Sequence, residues 1–207
     1  TADPVIRVKK ADPALGLSIL EREGCPRREG ALTVGWAVKA RRRDPVFFRE
    51  IEKSIRWLRE EYGADSVLIP FFHSEDLEVC EAIAGQLERQ AGCLRQKYLS
   101  EETLSIIGCM DLLVGVRLHS LIYAAVMGVP MIGISYDPKV DSFLSSIQQP
   151  TLCSVEEFSL EKFQAAFRET LARREEIRRT VAACVDSLIA KLDRNEELIR
   201  DIMEQSQ

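Results

Sequence analysis

The 207-residue sequence predicts an α/β fold of the Rossmann-like type, with a mostly parallel sheet and helices on both of its faces. Two observations lead to this prediction. Short apolar segments of strand length are separated by segments of helical period, in the order strand-helix-strand-helix-helix-strand-helix-strand. The strand segments are apolar along their whole length instead of alternating with polar residues, which is typical of parallel strands buried on both faces.

The elements follow from local signals along the chain. Residues 1–30 contain six glycine and proline residues and are predicted to be irregular, and a first strand is predicted at 33–38. A helix should follow, because Asp44 is a good N-cap, Pro45 suits the first helical position and Gly63 can end the helix. The remaining strands are predicted at 67–70, 112–116 and 131–135, and the remaining helices at 76–90, 100–109, 119–127 and 140–146, with a charged helical tail at 159–206.

The composition limits the class of protein. Hydrophobic residues make up 46% and charged residues 29%, which excludes a disordered or collagen-like chain. No apolar run approaches the ~20 residues that a membrane-spanning helix needs. The net charge of -5 argues against a dedicated nucleic-acid binder, so no nucleic-acid partner is expected.

The six cysteines show no metal or redox spacing, because the two closest ones are 13 residues apart. We interpret them as buried free thiols in a reducing compartment. A cytoplasmic location is therefore expected, with a peripheral position at the inner face of the membrane as a variant of it. No histidine-rich spacing is present either, so no metal site is predicted.

The charge is unevenly distributed. Eight basic residues lie between Lys39 and Arg59, against three acidic ones. Such a run is typical of the solvated face of a helix. The alternative is a local positive field that attracts phosphates, anionic lipid or an acidic partner.

The third predicted strand leads into the most informative segment. Ligands of parallel sheets bind at the carboxyl ends of the strands, near a reversal of strand order. Arg117, His119 and Ser120 stand there at the start of a helix, and a guanidinium, an imidazole and free helix N–H groups together suit an anion. The alternative is that Arg117 makes a surface ion pair and His119 caps the helix. His73, after the second strand, is either a site residue or part of a helix-start loop.

Residues 115–140, GVRLHSLIYAAVMGVPMIGISYDPKV, resemble the polysaccharide pyruvyl transferase family. The likeness is to the bacterial cell-wall polymer pyruvyltransferases associated with S-layer anchoring. Its most specific features are the Arg-Leu-His triplet, the small-residue helix that follows, and the Ser-Tyr-Asp-x-Lys stretch. A weaker likeness extends back through IPFFHSEDLE at 69–78 and covers residues 1–150 in all.

The resemblance implies a glycosyltransferase-B-like fold of two Rossmann-like domains. It also implies transfer of the enolpyruvyl group of phosphoenolpyruvate to two sugar hydroxyls, with release of phosphate and without a cofactor. The carboxy-terminal domain would hold phosphoenolpyruvate. Arg117 would bind its phosphate or carboxylate, the Leu118 backbone would add a contact, and His119 would act as the acid/base residue or as a donor ligand. Ser120 is also expected to contribute to binding. Tyr136 and Lys139 are expected to contribute to substrate binding, together with His73.

One position departs from the family pattern. At the end of the first strand the family has an arginine, whereas Lys39 occupies that position here. Lysine lacks the planar fork that binds phosphate or carboxylate at two points. Three alternatives follow: Lys39 replaces the arginine, Arg41 reaches the donor, or donor binding is altered.

The chain is expected to be the donor-binding half of a longer enzyme. The chain begins with Thr1 and has 207 residues, whereas a two-domain enzyme of this fold needs ~300. Its sequence also predicts only one sheet. We interpret 1–30 as the linker or tail of a missing amino-terminal domain and 31–155 as the donor-binding domain. The helices of 156–207 would pack on this domain or cross to the missing half, and their apolar residues also suit a homo-oligomer.

The acceptor is expected to be a lipid-linked cell-wall glycan containing N-acetylmannosamine, bound mainly through the missing half. Two other functions compete with this interpretation. One is a nucleotide-sugar glycosyltransferase or epimerase half of the same fold, and the other is a non-catalytic interaction domain. The Arg117-Leu118-His119 triplet favours the pyruvyltransferase.

Overall fold

A computed structural model of the chain describes residues 3–25, 27–39, 44–88 and 90–205. Arg41 therefore lies outside the described residues, as do Arg42 and Arg43. The strands are β1 (Thr33–Ala37), β2 (Asp65–Leu68), β3 (Ala91–Cys93), β4 (Leu112–Gly115), β5 (Met131–Ser135) and β6 (Thr151–Ser154). The helices are α1 (Pro13–Arg22), α2 (Pro45–Tyr62), α3 (His73–Gln86), α4 (Ser100–Gly108), α5 (Leu118–Met127), α6 (Pro138–Ser146), α7 (Leu160–Ala172) and α8 (Arg174–Gln205), with short 3-10 helices at Pro4–Arg7 and Val155–Glu157.

The six strands form one parallel sheet in the order β3-β2-β1-β4-β5-β6. The four predicted strands occupy its centre, which confirms the predicted fold class. The two edge strands, β3 and β6, were not predicted. The strand order reverses between β1 and β4, which places a crevice at the carboxyl ends of these two strands.

Helices cover both faces of the sheet, as predicted. One face packs against α1, α4, α5, α6 and α8, with Leu113 and Met131 among its strand residues. The opposite face packs against α2, α3 and α7, with Val34 and Val114 among its strand residues. Neighbouring residues of one strand thus enter different cores, because side chains alternate across a sheet. Burial on both faces explains why apolar residues predominate in the four inner strands.

The carboxy-terminal helices pack on this sheet in different ways. The ring centre of Phe163 on α7 lies 5.2 Å from that of Trp36 in β1, and Phe167 lies 5.7 Å from Trp57 on α2. The first part of α8 buries Ile177, Val181 and Val185 on the other face. Within the described part of the chain, no helix is both long and apolar enough to cross a membrane.

The prediction that residues 1–30 are irregular is wrong, because this segment contains α1. Asp12 caps α1 through a hydrogen bond from the backbone of Ala14, 2.9 Å long, and Pro13 is the first helical residue. Asp3-Pro4, Asp44-Pro45 and Asp137-Pro138 start helices in the same way. The glycine and proline content of the segment obscured a helix-start signal that the sequence uses four times.

Helix α1 lies very close to α4. The backbone N–H of Gly16 donates to Ser105 Oγ at 2.5 Å, and this hydroxyl donates in turn to the carbonyl of Asp12. A Cβ atom at Gly16 would lie 2.4 Å from the backbone oxygen of Ser105. The two helices can approach this closely only because residue 16 has no side chain.

A buried carboxylate lies at the end of the sheet where the strands begin, opposite the crevice. Asp65 begins β2 and is fully buried. It accepts hydrogen bonds from the backbone and the Nε of Arg28, at 2.6 and 3.0 Å, and from Nη1 of Arg59 at 2.7 Å. These bonds tie the segment before β1 and the end of α2 to the start of β2.

Two further sequence interpretations are decided by the structure. The helix predicted at 76–90 begins three residues earlier, at His73, and ends at Gln86, and Gly92 lies inside β3. All six cysteines are free thiols, and those at 25, 80, 93 and 153 are buried. Burial raises the pKa of Cys25 to about 12 and that of Cys153 to about 11, so both remain protonated at neutral pH.

Four of the eight basic residues between Lys39 and Arg59 lie on helix α2, and Arg41, Arg42 and Arg43 lie outside the described residues. Lys53 pairs with Glu50 at 2.7 Å, Arg49 donates to the carbonyl of Pro45, and Arg56 donates to the carbonyl of Gln86. These residues form the solvated face of a helix, which was the first of the two readings. Lys39 lies before α2 and has a different environment.

Candidate functional site

The predicted site residues converge at the carboxyl edge of the sheet. Lys39 follows β1, the segment from Arg117 to Ser120 follows β4, and Tyr136 and Lys139 follow β5. Because these strands are parallel and adjacent, all three segments leave the sheet on the same side. The site therefore lies at the reversal of strand order.

The turn from β4 to α5 is tight and exposes backbone donors. Arg117 is the N-cap residue in an extended conformation, with φ -81° and ψ 125°, and no side chain caps the helix. The buried hydroxyl of Ser120 donates to the carbonyl of Arg117 at 2.6 Å. Within the described residues, the backbone N–H groups of Leu118 and His119 donate no hydrogen bond to the protein. They are available to an anion, whereas the Ser120 hydroxyl is already engaged.

The guanidinium of Arg117 is held by two carboxylates. Its Nε and Nη2 donate to Asp76 at 3.1 and 2.6 Å, and Nη2 also donates to Glu75 at 2.8 Å. Partial burial would lower the pKa of Arg117, but the hydrogen bonds to Asp76 and Glu75 outweigh it and raise the pKa above its ordinary value. Arg117 thus carries a permanent charge, and its ion pair was one of the two alternatives drawn from the sequence.

His119 faces the other way. Its Nε2 lies 3.4 Å from Oδ2 of Asp3, which precedes the first 3-10 helix, and about half of its side chain is exposed. The turn therefore directs Arg117 towards α3 and His119 towards the beginning of the chain. The imidazole remains accessible to a ligand at the mouth of the crevice.

Lys39 extends from the end of β1 over the ring of Tyr136, with its Nζ 3.7 Å from the ring centre. This contact joins the segments after β1 and β5 across the end of β4. Among the described residues, Lys39 has no carboxylate partner. An ammonium group stacked on an aromatic ring keeps its positive charge available to an anion, which suits the first of the three alternatives for this position.

The remaining predicted residues lie at the rim of the site. His73 is the first residue of α3, and its Nε2 donates to the carbonyl of Arg95 at 2.8 Å. Lys139 is exposed in the first turn of α6 and lines a groove of about 930 Å³ that also contains Asp3 and Leu118. Within the described residues, no group of three acidic, histidine or cysteine side chains could hold a metal ion.

Asp76, Glu75 and Asp3 were not singled out from the sequence. Their signal was present in part, because HSED places two acidic residues in the first turn of a helix at the ligand edge. Acidic residues in that position stabilise a helix by themselves, so the pattern did not require a second role for them.

Glu23 anchors a loop at the same edge of the sheet. It accepts hydrogen bonds from the backbone of Arg95 and Gln96, at 3.1 and 2.9 Å, and from the hydroxyl of Tyr98 at 2.5 Å. Partial burial would raise the pKa of Glu23, but these three bonds outweigh it and lower the pKa. The loop from β3 to α4 is thereby fixed to the end of α1.

Replacing Glu23 with glutamine is expected to destabilise the protein by about 1–2 kcal/mol at pH 7, because hydrogen bonds to a charged acceptor are lost. The folded pKa is the lower one, so this stabilisation is present above the ordinary carboxyl pKa of 4.5 and is lost as the pH falls below it. Urea unfolding at pH 7 and at pH 3 measures the difference. Glu21→Gln, at an exposed position of the same helix, is the matched control, and an equal loss in both variants would refute the anchor.

Comparison with known proteins places the chain in a family. A model of the family described as polysaccharide pyruvyl transferase matches residues 8–138, which include Lys39, the turn from Arg117 to Ser120, and Tyr136. The chain belongs to the polysaccharide pyruvyl transferase family. This membership confirms the family resemblance at the level of the whole family. A comparison with curated proteins gave no match.

Solved structures with the same fold are glycosyltransferases of the glycosyltransferase-B type. For ADP-heptose lipopolysaccharide heptosyltransferase II of E. coli, the TM-score is 0.61 at 15% identity, and the match covers 78% of this family member and 52% of that chain. For the structure describing EarP-mediated arginine glycosylation of elongation factor EF-P, the TM-score is 0.61 at 12% identity, with 91% and 66% covered. This chain thus spans about half to two thirds of these structures.

A third match covers nearly the whole of a single domain. The carboxy-terminal domain of a group 1 glycosyltransferase, LpcC, from Francisella tularensis has a TM-score of 0.52 at 13% identity. The match covers 87% of the pyruvyl transferase family member and 97% of that domain. At such low identity the likeness is one of fold alone.

Proposed function

We propose that this chain is the donor-binding half of a pyruvyltransferase that uses phosphoenolpyruvate. The observation that carries the proposal is the family match over residues 8–138, which contains the basic groups of the crevice. The acceptor would be a lipid-linked cell-wall glycan, with an N-acetylmannosamine unit, of the type used in S-layer anchoring. A nearly complete match to an isolated carboxy-terminal glycosyltransferase domain supports assigning the chain to the carboxy-terminal half.

The chemistry requires positive charge and a proton carrier. Two sugar hydroxyls add to the central carbon of the enolpyruvyl group, and the bond from that carbon to the phosphate oxygen breaks. One hydroxyl proton is transferred to the methylene carbon, which becomes a methyl group, and the other leaves with the phosphate. His119 is assigned the proton transfers, because its imidazole is half-exposed at the crevice and can both accept and donate a proton.

The crevice offers several donors to a small anion of high charge. The free backbone N–H groups of Leu118 and His119 lie at the positive end of α5. Lys39, held over Tyr136, approaches from the end of β1, and Arg117 approaches from the end of β4. In this assignment Lys39 takes the place of the family arginine as a point charge.

The acceptor would be bound partly by a second domain. This chain covers only about half the length of two glycosyltransferase-fold relatives, and its described residues form a single sheet. We assign 31–155 to donor binding and the segment before it to the connection with an amino-terminal domain. The contact of His119 with Asp3 would then bring that connection to the catalytic residue.

Titration with phosphoenolpyruvate is expected to stabilise the 207-residue chain. At 100 times the Kd, one bound ligand adds about 2.7 kcal/mol. For a chain of this size, that gain raises Tm by about 5–10 °C. Arg117→Ala should reduce the shift strongly, whereas Arg178→Ala, which removes an exposed guanidinium paired with Glu175 on α8, should leave it unchanged.

Competition separates the alternatives. A shift with a nucleotide sugar that phosphoenolpyruvate cannot compete away would support a glycosyltransferase half. No shift with either compound would support a non-catalytic interaction domain. An equal loss in Arg117→Ala and Arg178→Ala would show that the crevice is not the binding site.

A further inference from the structure

The hydrogen bonds of Arg117 use one side of its guanidinium and leave the other side open. Nε and Nη2 face Asp76, and Nη2 also reaches Glu75. Within the described residues, Nη1 donates no hydrogen bond to the protein. Since a guanidinium has a rigid planar arrangement of donors, holding one edge determines where the other edge points.

The two carboxylates that hold Arg117 differ in environment. Asp76 is fully buried and also accepts the backbone N–H of Phe72 at 2.8 Å, so its position is determined by α3. The side chain of Glu75 is 52% exposed and makes one bond to Arg117. A buried carboxylate with several donors is rigidly held, whereas an exposed ion pair contributes little and can be exchanged.

The ion pair spans the crevice. Asp76 follows β2 and Arg117 follows β4, and β1 lies between these strands. The guanidinium therefore lies across the carboxyl end of β1, where Lys39 leaves the sheet. The ring of Phe72 covers its face, with its centre 5.5 Å from the guanidinium carbon. Asp76 occupies one edge of the Arg117 guanidinium and the ring of Phe72 covers one of its faces. The edge that carries Nη1 remains open to a ligand.

We propose that Asp76 is a positioning residue that presents the Nη1 edge of Arg117 to the anionic donor, and that Glu75 is a competing carboxylate which the donor displaces. The identity of the donor rests on the proposed function. Glu75 adds a second carboxylate beside the guanidinium, and its negative charge opposes the approach of an anion. Release of Glu75 removes this repulsion, and Asp76 keeps the guanidinium in place.

The proposal predicts opposite effects for the two carboxylates. Both effects are measured as changes in Kd, by calorimetric titration of the full chain with phosphoenolpyruvate and, in parallel, with inorganic phosphate. Asp76→Asn is expected to weaken binding about tenfold, because an unheld arginine must be ordered by the ligand. Glu75→Gln is expected to tighten binding about threefold, the size of one exposed ion pair. Glu81→Gln, on the same helix but paired with Arg95, is the control and should change nothing.

A double-mutant cycle separates positioning from a general structural effect. In an Arg117→Lys background, Asp76→Asn should weaken binding by less than about threefold, because lysine cannot make the two-point contact. A tenfold loss in both backgrounds would overturn the positioning role. Weaker binding in Glu75→Gln would overturn the competing role, and this exposed change decides the proposal if Asp76→Asn does not fold.

Comparing the binding of phosphoenolpyruvate with that of inorganic phosphate tests the positioning role separately from the proposed function. If phosphate binds with the expected cycle and phosphoenolpyruvate does not bind, the positioning role stands and the proposed donor is wrong. If phosphoenolpyruvate binds without coupling between residues 76 and 117, the donor stands and the positioning role is overturned. Binding of neither anion would overturn both.

Discussion

Replacing Asp65 with alanine is expected to lower the free energy of unfolding by about 3 kcal/mol, because the hydrogen bonds of a buried charged acceptor are lost together. The backbone N–H of Arg28 would lose its partner, and the guanidinium groups of Arg28 and Arg59 would lose theirs. The expected loss is below the largest values for buried pairs, because both arginines are partly exposed and water can solvate them.

Chemical denaturation of Asp65→Ala measures this loss directly. Asp193→Ala is the matched control, because Asp193 is 58% exposed and pairs with Arg7 at 2.8 Å on the surface. It should change the free energy of unfolding by less than about 1 kcal/mol. If both variants lose the same amount, the carboxylate of Asp65 does not have the structural role assigned to it.

Replacing Gly16 with alanine is expected to be similarly severe, with a loss of about 3 kcal/mol or more. The new Cβ would lie 2.4 Å from the carbonyl oxygen of Ser105 and 2.5 Å from its carbonyl carbon. These are backbone atoms of α4, so the clash cannot be relieved by rotating a side chain. The helices must separate, which also breaks the hydrogen bond from Gly16 to Ser105.

Gly85→Ala provides the matched control for Gly16→Ala. Gly85 is also helical, but a Cβ atom there would meet no other atom within 4 Å. Alanine has the higher helix propensity, so this variant should gain up to about 1 kcal/mol. Thermal unfolding of the two variants should therefore shift Tm in opposite directions. A neutral Gly16→Ala would show that α1 is not packed on α4 at this distance.

The central part of the fold was predictable because local and tertiary preferences agree there. The four inner strands are mostly apolar and buried, and Asp44, Pro45 and Gly63 mark the ends of α2. The edge strands lack this agreement. Ala91–Cys93 is three residues long with a glycine in its centre, and Thr151–Ser154 is half-buried. Pairing with a neighbouring strand determines both, and a single sequence does not show it.

The position of the candidate site residues in the fold was predictable from the sequence, whereas their contacts were not. The order of strands and helices placed Arg117 and His119 at a ligand edge. Their partners, Asp76 and Asp3, are 41 and 116 positions away in the sequence, so only the tertiary structure could reveal them. The ion pair of Arg117 does not exclude ligand binding, because an arginine can be paired on one edge and open on the other.

The shape of the sheet edges has a consequence for self-association. An exposed edge strand is a template on which another chain can add a strand. Here β3 is short, and the pairing of β6 with β5 is interrupted at Gly133 and Ile134. Neither edge offers a long, regular row of unpaired backbone groups, so continuous sheets between copies are disfavoured. A second copy would have to bind through the helices.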